Sequence, residues 1–208
     1  MSVYLLICVP IRPKKTSDEE MLIATRRCIM QHGISVSTQV IAKEIGVSQA
    51  TLFKRFGTKE ALLQKALLQP IVSHSIFQKL EQEPTLDTVV DQLKVLSIAL
   101  LRFFDEMLPN LMMLRSSGFD LPSLMQGDDT PPILIRKKLM LWIEALQKQQ
   151  KIRDVSSEAF ALALLGSIQH RVFRRHIILD HSLISSDEEY ISRMVDLFWL
   201  GIATGDSQ

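Results

Sequence analysis

The chain has little of what an exported or a catalytic protein needs. Only Cys8 and Cys28 are cysteines among 208 residues, and two cysteines give no disulfide framework. The sequence contains no G-x-S-x-G motif, no Walker-type glycine loop and no dinucleotide fingerprint. His170, His176 and His181 lack the spacing of a metal site. We therefore expect a protein that is not an enzyme and that carries neither a cofactor nor a metal ion.

Signals for membrane insertion and export are also missing. The apolar stretch at residues 3–9 is far too short to span a bilayer, and no other run approaches membrane length. That stretch has no basic region before it and no small-residue cleavage site after it. We predict a cytoplasmic protein with no membrane partner. Residues 1–15 are predicted to form a flexible arm, which either follows a polyanionic partner through its three basic residues or is a loose tail.

Charge is distributed unevenly along the chain. The formal net charge is only +1, but residues 1–69 carry ten Lys or Arg against five Asp or Glu, and the remainder of the chain is acidic. A basic first part with an acidic second part is expected when only the first part meets a polyanion. The alternative is that the uneven distribution of charge arose by chance.

The length of the chain suits one or two domains with a sizeable core.

The segment 37–59 has the pattern of two short helices that meet at a glycine. A hydroxyl at Ser37 or Thr38 can cap the first helix. Apolar residues at i, i+1 and i+4 give this helix one buried stripe, made of Ile41, Ala42 and Ile45. Gly46 then permits the left-handed conformation that a sharp helix exit needs.

The second short helix has the composition of a helix that enters the major groove. Ser48 caps it, and Leu52 and Phe56 anchor its inner side. Its outward positions are predicted to be Gln49, Ala50, Thr51, Lys54 and Arg55. Such a helix needs compact, hydrogen-bonding residues near its start and cations for phosphate. Lys59 opens a third helix, where the dipole disfavours a cation, so a phosphate partner explains it better.

Residues 21–63 resemble the N-terminal domain of the TetR family of bacterial transcriptional regulators. The resemblance rests on IAKEIGVSQATLFKRF followed by TKEALL at fixed spacing, after a first helix whose inner face includes Met21 and Cys28. It implies an all-α fold with three parts. These are the arm at 1–15, a three-helix helix-turn-helix DNA-binding domain at 16–66, and a helical effector-binding and dimerisation domain at 67–208.

The resemblance also implies which residues contact double-stranded DNA. They are Thr38, Gln39, Ser48, Gln49, Ala50, Thr51, Phe53, Lys54, Arg55 and Lys59. Three positions depart from the usual pattern of the family. Phe53 lacks the hydroxyl of the usual tyrosine, Arg55 replaces a common histidine, and Val40 is apolar where a polar residue is usual. The phosphate contact of the tyrosine is therefore lost or replaced.

Proline and glycine divide the rest of the chain into helices, and no strand pattern is present. The predicted helices cover residues 58–81, 84–106, 109–114, 131–149, 157–179 and 186 onward, and residues 116–130 are predicted to form a loop. The last two helices carry a small-residue strip and an apolar stripe. The strip is Ala159, Ala163 and Gly166, and the stripe is Ile191, Val195, Phe198 and Ile202.

These two features predict a homodimer that is held by a four-helix bundle. A helix-turn-helix protein needs two half-sites, which favours the dimer and a palindromic operator, and the family resemblance implies the same. The alternative is that both features only complete the core of the monomer.

The middle helices are rich in methionine and aromatic residues, which suit either an ordinary core or a deformable ligand pocket. The candidate pocket residues are Phe103, Phe104, Met107, Met112, Met113, Met125, Met140 and Trp142, with His170 as a polar partner. The resemblance implies a small-molecule effector here. We therefore expect a repressor that an apolar or amphipathic ligand releases from DNA. The alternative is an interaction protein that acts through its C-terminal helical domain.

Overall fold

The structure is a computed structural model that describes residues 16–72, 74–82, 84, 89–124, 130–180, 182 and 185–202. Within these ranges every regular element is helical, which confirms the all-α prediction. The predicted arm at residues 1–15 and the predicted pocket residue Met125 lie outside the described residues.

The chain divides into two compact units between Ala66 and Leu67. The first unit contains α1 (Asp18–His32), α2 (Thr38–Ile45), α3 (Gln49–Phe56) and the start of α4 (Lys59–Val72). The second unit contains the end of α4, then α5 (Ile76–Glu81), α6 (Val89–Ser116), α7 (Leu121–Leu124), α8 (Pro131–Lys148), α9 (Ser157–Phe173) and α10 (Asp187–Ile202). A π-helical segment, Arg174–Ile178, directly follows α9. The functional roles of the two units stay predictions.

The first unit has a small core that α1, α2 and α3 share. A capping box starts α1, because the Ser17 hydroxyl accepts from the Glu20 amide and the Glu20 carboxylate accepts from the Ser17 amide. Thr25 is the polar residue in this core, and its hydroxyl donates to a carbonyl oxygen of the preceding turn at 2.8 Å. The hydrogen bond removes most of the cost of burying a hydroxyl. The apolar members are Met21, Cys28, Ile29, Ile41, Ala42, Leu52 and Phe56.

The second unit is built around α6. This helix packs against α9 and α10 along its length, and α8 packs against α9 on another side. Large side chains at the centre of the unit are fully buried, including Phe103, Leu100, Leu139, Ile143, Leu164 and Val195. Burial of each such side chain contributes about 1.5–3 kcal/mol, so this core is the main source of stability in the second unit.

The structure corrects two predicted helix boundaries, and proline is involved in both. The sequence predicts one helix over 58–81, but α4 ends at Val72 and α5 starts anew at Ile76. Pro70, in the last turn of α4, lacks an amide hydrogen and crowds the preceding turn. The imidazole Nδ1 of His74 then accepts a hydrogen bond from the Ile76 amide at 3.1 Å and satisfies one free donor at the start of α5.

The second correction concerns Pro109, which the sequence predicts to start a short separate helix. Instead, α6 continues through Pro109 to Ser116. An internal proline costs a helix about 3 kcal/mol. Met107 and Leu114 lie on either side of Pro109 and are buried, and their burial offsets that cost. Tertiary packing therefore outweighs the local preference.

The predicted helix over 157–179 also changes character before its end. Regular α-helix stops at Phe173, the π-helical segment follows, and Leu179 adopts a left-handed conformation with φ 55°. Ion pairs accompany this change. Arg175 reaches Asp105 of α6 at 2.7 Å and Asp187 of α10 at 2.6 Å, so it joins three elements.

Asp187 is the acceptor on which this ion-pair network converges. It binds Arg175 and also Arg171, whose side chain is only 5% exposed and lies over the ring of Tyr190. Burial by itself raises the pKa of Asp187, but hydrogen bonds from Arg175 and Arg171 outweigh that effect and hold the pKa below its ordinary value. A carboxylate with a depressed folded-state pKa stabilises the fold above its unfolded pKa, and this contribution disappears as the pH falls through the folded pKa.

We therefore expect Asp187→Asn to destabilise the second unit at pH 7. The loss is about 2–3 kcal/mol, because the buried Arg171 keeps its charge without a full partner. The difference from wild type shrinks below about pH 4, where the wild-type carboxylate also takes up a proton. Urea unfolding at pH 7, 5 and 3 measures both effects.

Asp196→Asn is the matched control, since Asp196 pairs with Lys94 while its side chain is 54% exposed. An exposed pair contributes at most about 1 kcal/mol. Equal losses in the two variants at pH 7 would contradict the assigned role of Asp187.

Candidate nucleic-acid interface

The turn between α2 and α3 is defined by two serine caps and one glycine. The Ser37 hydroxyl accepts from the Val40 amide at 3.3 Å, and the Ser48 hydroxyl accepts from the Thr51 amide at 3.1 Å. Gly46 ends α2 in the left-handed conformation, with φ 77° and ψ 31°. These are the caps and the exit that the sequence predicts, so the local geometry of the helix-turn-helix is confirmed.

Burial decides which face of α3 is presented to solvent. Leu52 and Phe56 pack into the core of the first unit. The opposite face exposes four predicted DNA-contact residues, which are Gln49, Ala50, Phe53 and Lys54. On α2, Gln39 is exposed and Thr38 is half-buried. The structure thus places polar and small side chains at the start of α3 on an accessible surface.

The polar side chains at the start of α3 are held by neighbouring groups. The Gln49 amide Nε2 donates to the Thr38 hydroxyl at 2.9 Å and thereby joins the first turn of α3 to the first turn of α2. The hydroxyl oxygens of Ser48 and Thr51 are also 2.9 Å apart, within hydrogen-bond distance. Side chains that are already ordered lose less conformational entropy when they bind a ligand.

Arg55 does not lie in the outward position that the sequence predicts. Its Nη1 donates to the carbonyl oxygen of Thr16 at 2.6 Å and to the carboxylate of Asp18 at 3.0 Å. The guanidinium therefore ties the last turn of α3 to the start of α1, and its side chain is only 20% exposed. The helical period explains this position, because Arg55 directly precedes the buried Phe56 and borders the α1 side of α3.

Two lysines near the exposed face of α3 differ in exposure and in their hydrogen bonds. Lys54 is exposed, whereas Lys59 is half-buried and its Nζ donates to the Ser35 carbonyl oxygen at 3.3 Å. Lys59 thus ties the start of α4 to the loop before α2. The Thr58 hydroxyl caps α4 by accepting from the Ala61 amide at 3.1 Å.

Two apolar side chains also lie on the surface of the helix-turn-helix. Phe53 of α3 is 43% exposed and Val40 of α2 is 42% exposed.

Cys28 is buried in α1, and burial raises the pKa of its thiol. A neutral buried thiol is a poor nucleophile, which fits the predicted role of Cys28 as a core residue.

The first unit matches a known family, and the whole chain matches known folds. Residues 22–66 match the family model described as bacterial regulatory proteins, tetR family. The first unit therefore carries a segment that is similar to the TetR family of bacterial regulatory proteins. The segment that matches the family model includes every residue of the helix-turn-helix described above.

Solved structures extend the similarity to the second unit. A TetR-family transcriptional regulator from Mesorhizobium loti matches at a TM-score of 0.73 and 18% identity, over 90% of this chain and 96% of its own. A transcriptional regulator from Saccharomonospora viridis in complex with choline matches at a TM-score of 0.65 and 19% identity, over 90% of this chain and 97% of its own. SmeT, the repressor of a multidrug efflux pump of Stenotrophomonas maltophilia, matches at a TM-score of 0.63 and 14% identity, over 92% of this chain and 93% of its own. The TetR fold thus extends over both units.

The predicted effector-pocket residues that the structure describes differ in burial and in the grooves that they line. Phe103, Phe104, Met107 and Trp142 are buried, Met113 and Met140 are half-buried, and Met112 and His170 are exposed. Phe104 and Met107 line a groove of about 200 Å³ beside Gln169 and Phe173. Trp142 lines other grooves, near α5 and α8.

None of the described helices is long and apolar enough to cross a membrane.

A larger groove was not predicted from the sequence. It has a volume of about 390 Å³ and lies between α6, α10 and the start of α5. We call it the α6 groove, and its lining residues include His74, Lys79, Val95, Ala99, Arg102, Glu106 and Ile191. The sequence signal was weak, because these residues are dispersed over three elements.

Most of the apolar stripe that is predicted to form the dimer interface on α10 is buried within the second unit. Ile191, Val195 and Ile202 are at most 6% exposed, because the stripe packs within the second unit, and Phe198 is half-buried. Burial of these three residues favours the alternative of a monomer core, and the role of the stripe in a dimer stays a prediction. The outer face of α10 instead carries Leu197 and Leu200, at 72% and 75% exposure.

The small-residue strip on α9 behaves differently from the stripe on α10. Ala159, Ala163 and Gly166 are all exposed, and a side chain added at Gly166 would meet open space. Leu162 lies beside them on α9 and is 49% exposed. The two helices therefore expose apolar and small residues, but on α10 these are not the residues that the sequence indicated.

We expect Arg55→Gln to weaken the first unit without changing its electrostatic attraction to DNA. Loss of the hydrogen bonds to Thr16 and Asp18 costs about 1–2 kcal/mol, and hydrogen exchange of the α1 and α3 amides accelerates accordingly. The slope of DNA affinity against salt concentration stays at the wild-type value.

Lys54→Gln is the matched control on the neighbouring residue. It leaves stability within about 0.5 kcal/mol and reduces the salt slope by about one, because we expect this exposed lysine to contact phosphate. A reversed pattern, with the salt slope changed only by Arg55→Gln, would show that Arg55 leaves its internal partners to bind DNA.

Proposed function

We propose that the protein is a homodimeric repressor that binds a palindromic operator and leaves it when a small amphipathic effector binds. The observation that carries this proposal is the ordered, exposed first turn of α3 next to the Gly46 turn. A major-groove helix presents its N-terminal residues to base edges, and α3 presents compact polar residues there. The repressor SmeT, which shares the fold, supports the direction of regulation.

In the proposed complex, some side chains of the first unit approach bases and others bind phosphate. Gln49, Ala50 and Thr51 approach base edges, since they occupy the first turn of α3. Lys54 and Lys59 bind phosphate and fix the register on the duplex. The exposed Phe53 has no hydroxyl to donate to a phosphate, and instead contacts sugar or a thymine methyl group.

Dimerisation through the outer faces of α9 and α10 completes the proposal. Leu162, Leu197 and Leu200 are largely exposed, and the small residues of α9 let a partner helix approach closely. Exposed leucines in this number mark an interaction surface. Two helix-turn-helix units in a symmetric dimer read half-sites about 34–36 Å apart, which explains why a palindrome is expected.

Selection from random duplex DNA tests both parts of this function. Wild type is expected to enrich an inverted repeat with half-sites about one helical turn apart. Leu197→Glu with Leu200→Glu makes the protein monomeric in sedimentation experiments and weakens binding to the full palindrome at least about tenfold, because two linked contacts become one.

Leu141→Glu is the control, since Leu141 is 64% exposed but lies on α8. This variant stays dimeric and binds as wild type does. Absence of any enriched sequence for wild type would contradict the repressor function. A dimeric Leu197→Glu, Leu200→Glu variant would contradict the assigned interface.

The α6 groove is the proposed effector site. Its floor is apolar, with Ala99 and Ile191 almost fully buried, and its rim carries Lys79, Arg102 and Glu106. Apolar walls with a few charged groups suit a small amphipathic molecule. The choline complex of the similar Saccharomonospora viridis regulator supports a small charged ligand in proteins of this fold.

The position of His74 offers a route from the α6 groove to the DNA-binding unit. His74 lines the groove and lies two residues after the end of α4, which begins in the first unit at Lys59. Burial lowers the pKa of His74, so the imidazole is neutral at neutral pH and Nδ1 can accept from the Ile76 amide. A ligand that binds one arrangement of this junction better than another shifts α4 and thereby DNA affinity.

We expect Val95→Trp to abolish the response to effectors while operator binding persists. Val95 lines the α6 groove and is 58% exposed, so an indole there fills the groove without disrupting the core. A thermal-shift screen of small quaternary amines and medium-chain carboxylates identifies a ligand for wild type. The same ligand then raises the melting temperature of wild type but not of Val95→Trp.

Leu141→Trp is the control, because Leu141 lines a separate groove. It keeps the wild-type response. Release of Val95→Trp from DNA by the same ligand at the wild-type concentration would place the effector elsewhere.

A further inference from the structure

We propose that Thr38 is a positioning residue that holds the Gln49 amide for the recognition of one adenine and links that recognition to a phosphate contact. The inference rests on the proposed DNA-binding function and adds a division of labour within it. The observation is the 2.9 Å hydrogen bond from Gln49 Nε2 to Thr38 Oγ1. It joins two residues that are eleven positions apart, and each is the first residue of its helix.

The hydrogen bond restricts a side chain that would otherwise be mobile. Gln49 is exposed, and a free glutamine at a helix start samples many rotamers. Its three side-chain torsions lose freedom when it binds a base, at a cost of about 1–2 kcal/mol if none is ordered beforehand. The contact with Thr38 orders the amide before DNA arrives, so less of this entropy is lost on binding.

The chemistry of the amide explains why adenine is the expected base. Nε2 has two hydrogens, and the proposed geometry assigns the one trans to the carbonyl oxygen to the bond with Thr38. The carbonyl oxygen and the remaining N–H then lie on one edge of the amide. This acceptor and donor pair matches the N6 amino group and N7 of adenine in the major groove. Without Thr38 the amide rotates or flips, and a flipped amide presents the wrong pattern.

Thr38 has a second function available to its hydroxyl. Its oxygen accepts from Gln49, and among the described residues no group accepts its proton. It lies in the first turn of α2, where backbone amides and the helix dipole favour a phosphate. A chain of two hydrogen bonds therefore runs from phosphate through Thr38 to Gln49. Each bond polarises the next, so the phosphate contact strengthens the orientation of the amide.

The hydroxyl of Thr51 has a hydrogen-bond partner other than Thr38, so the proposed role of Thr38 concerns Gln49 and not Thr51. The Thr51 hydroxyl is 2.9 Å from the Ser48 hydroxyl, within its own helix. Its orientation does not depend on α2. A change at Thr38 is therefore expected to alter recognition at the base pair read by Gln49 and to leave recognition by Thr51 unchanged.

The test compares four variants of the full-length protein with wild type. Each protein binds a library of DNA duplexes that differ in the half-site sequence, at one salt concentration. They are Thr38→Val, Thr38→Ser, Gln49→Ala and the double variant Thr38→Val with Gln49→Ala. Valine keeps the shape of threonine but removes the hydroxyl, whereas serine keeps the hydroxyl. Thermal unfolding of each variant confirms that it folds. The preference for A·T over other pairs at each position is the measured quantity.

We expect Thr38→Ser to retain the wild-type preference and Thr38→Val to lose roughly tenfold of it at a single position. Gln49→Ala loses the preference at that same position. The double variant loses no more preference there than Gln49→Ala alone, because Thr38 acts through Gln49. Affinity for all sequences also falls in Thr38→Val, since its phosphate contact is removed.

Two results overturn the inference while the DNA-binding function stands. One is a uniform loss of affinity in Thr38→Val with every base preference unchanged, which would make Thr38 a phosphate contact only. The other is additive loss of preference in the double variant. A wild-type protein that prefers no sequence overturns the proposed function together with this inference.

Discussion

The left-handed turn at Gly46 is the constraint on which the DNA-binding surface depends. It lies between two serine-capped helices, and its φ of 77° costs any residue with a Cβ about 1–2 kcal/mol, even though nothing crowds the position. The turn lets Ile41 and Leu52 reach the same core. Once those side chains are buried, the opposite face of α3 has to face solvent, and its first turn becomes accessible.

Polar groups near this surface are held by internal partners. Arg55 binds the start of α1, Lys59 binds the loop before α2, and Gln49 binds Thr38. Such ties reduce the number of mobile cations that attract any DNA, and they order the groups that face a base. The proposed mode of binding is thus one in which prior order contributes to specificity, while Lys54 supplies a free cation.

The second unit relies on one long helix to hold both its core and its groove. Packing on both sides of Pro109 keeps α6 continuous, and the α6 groove lies along one side of it. The ion pairs of Arg175 attach α6 and α10 to the π-helical segment. A rigid frame of this kind leaves the junction between α4 and α5, near His74, as the element best suited to respond to an effector.

Sequence by itself determined the helical class, the caps at Ser37 and Ser48, the exit at Gly46 and the family resemblance, because each depends on residues close together in the chain. Only the tertiary structure decided the rest. Arg55 points inward, the α10 stripe at Ile191 and Val195 is buried, and α6 passes through Pro109, since long-range packing partners decide each case. The α6 groove also escaped prediction, because its walls meet only after three separate elements have packed together.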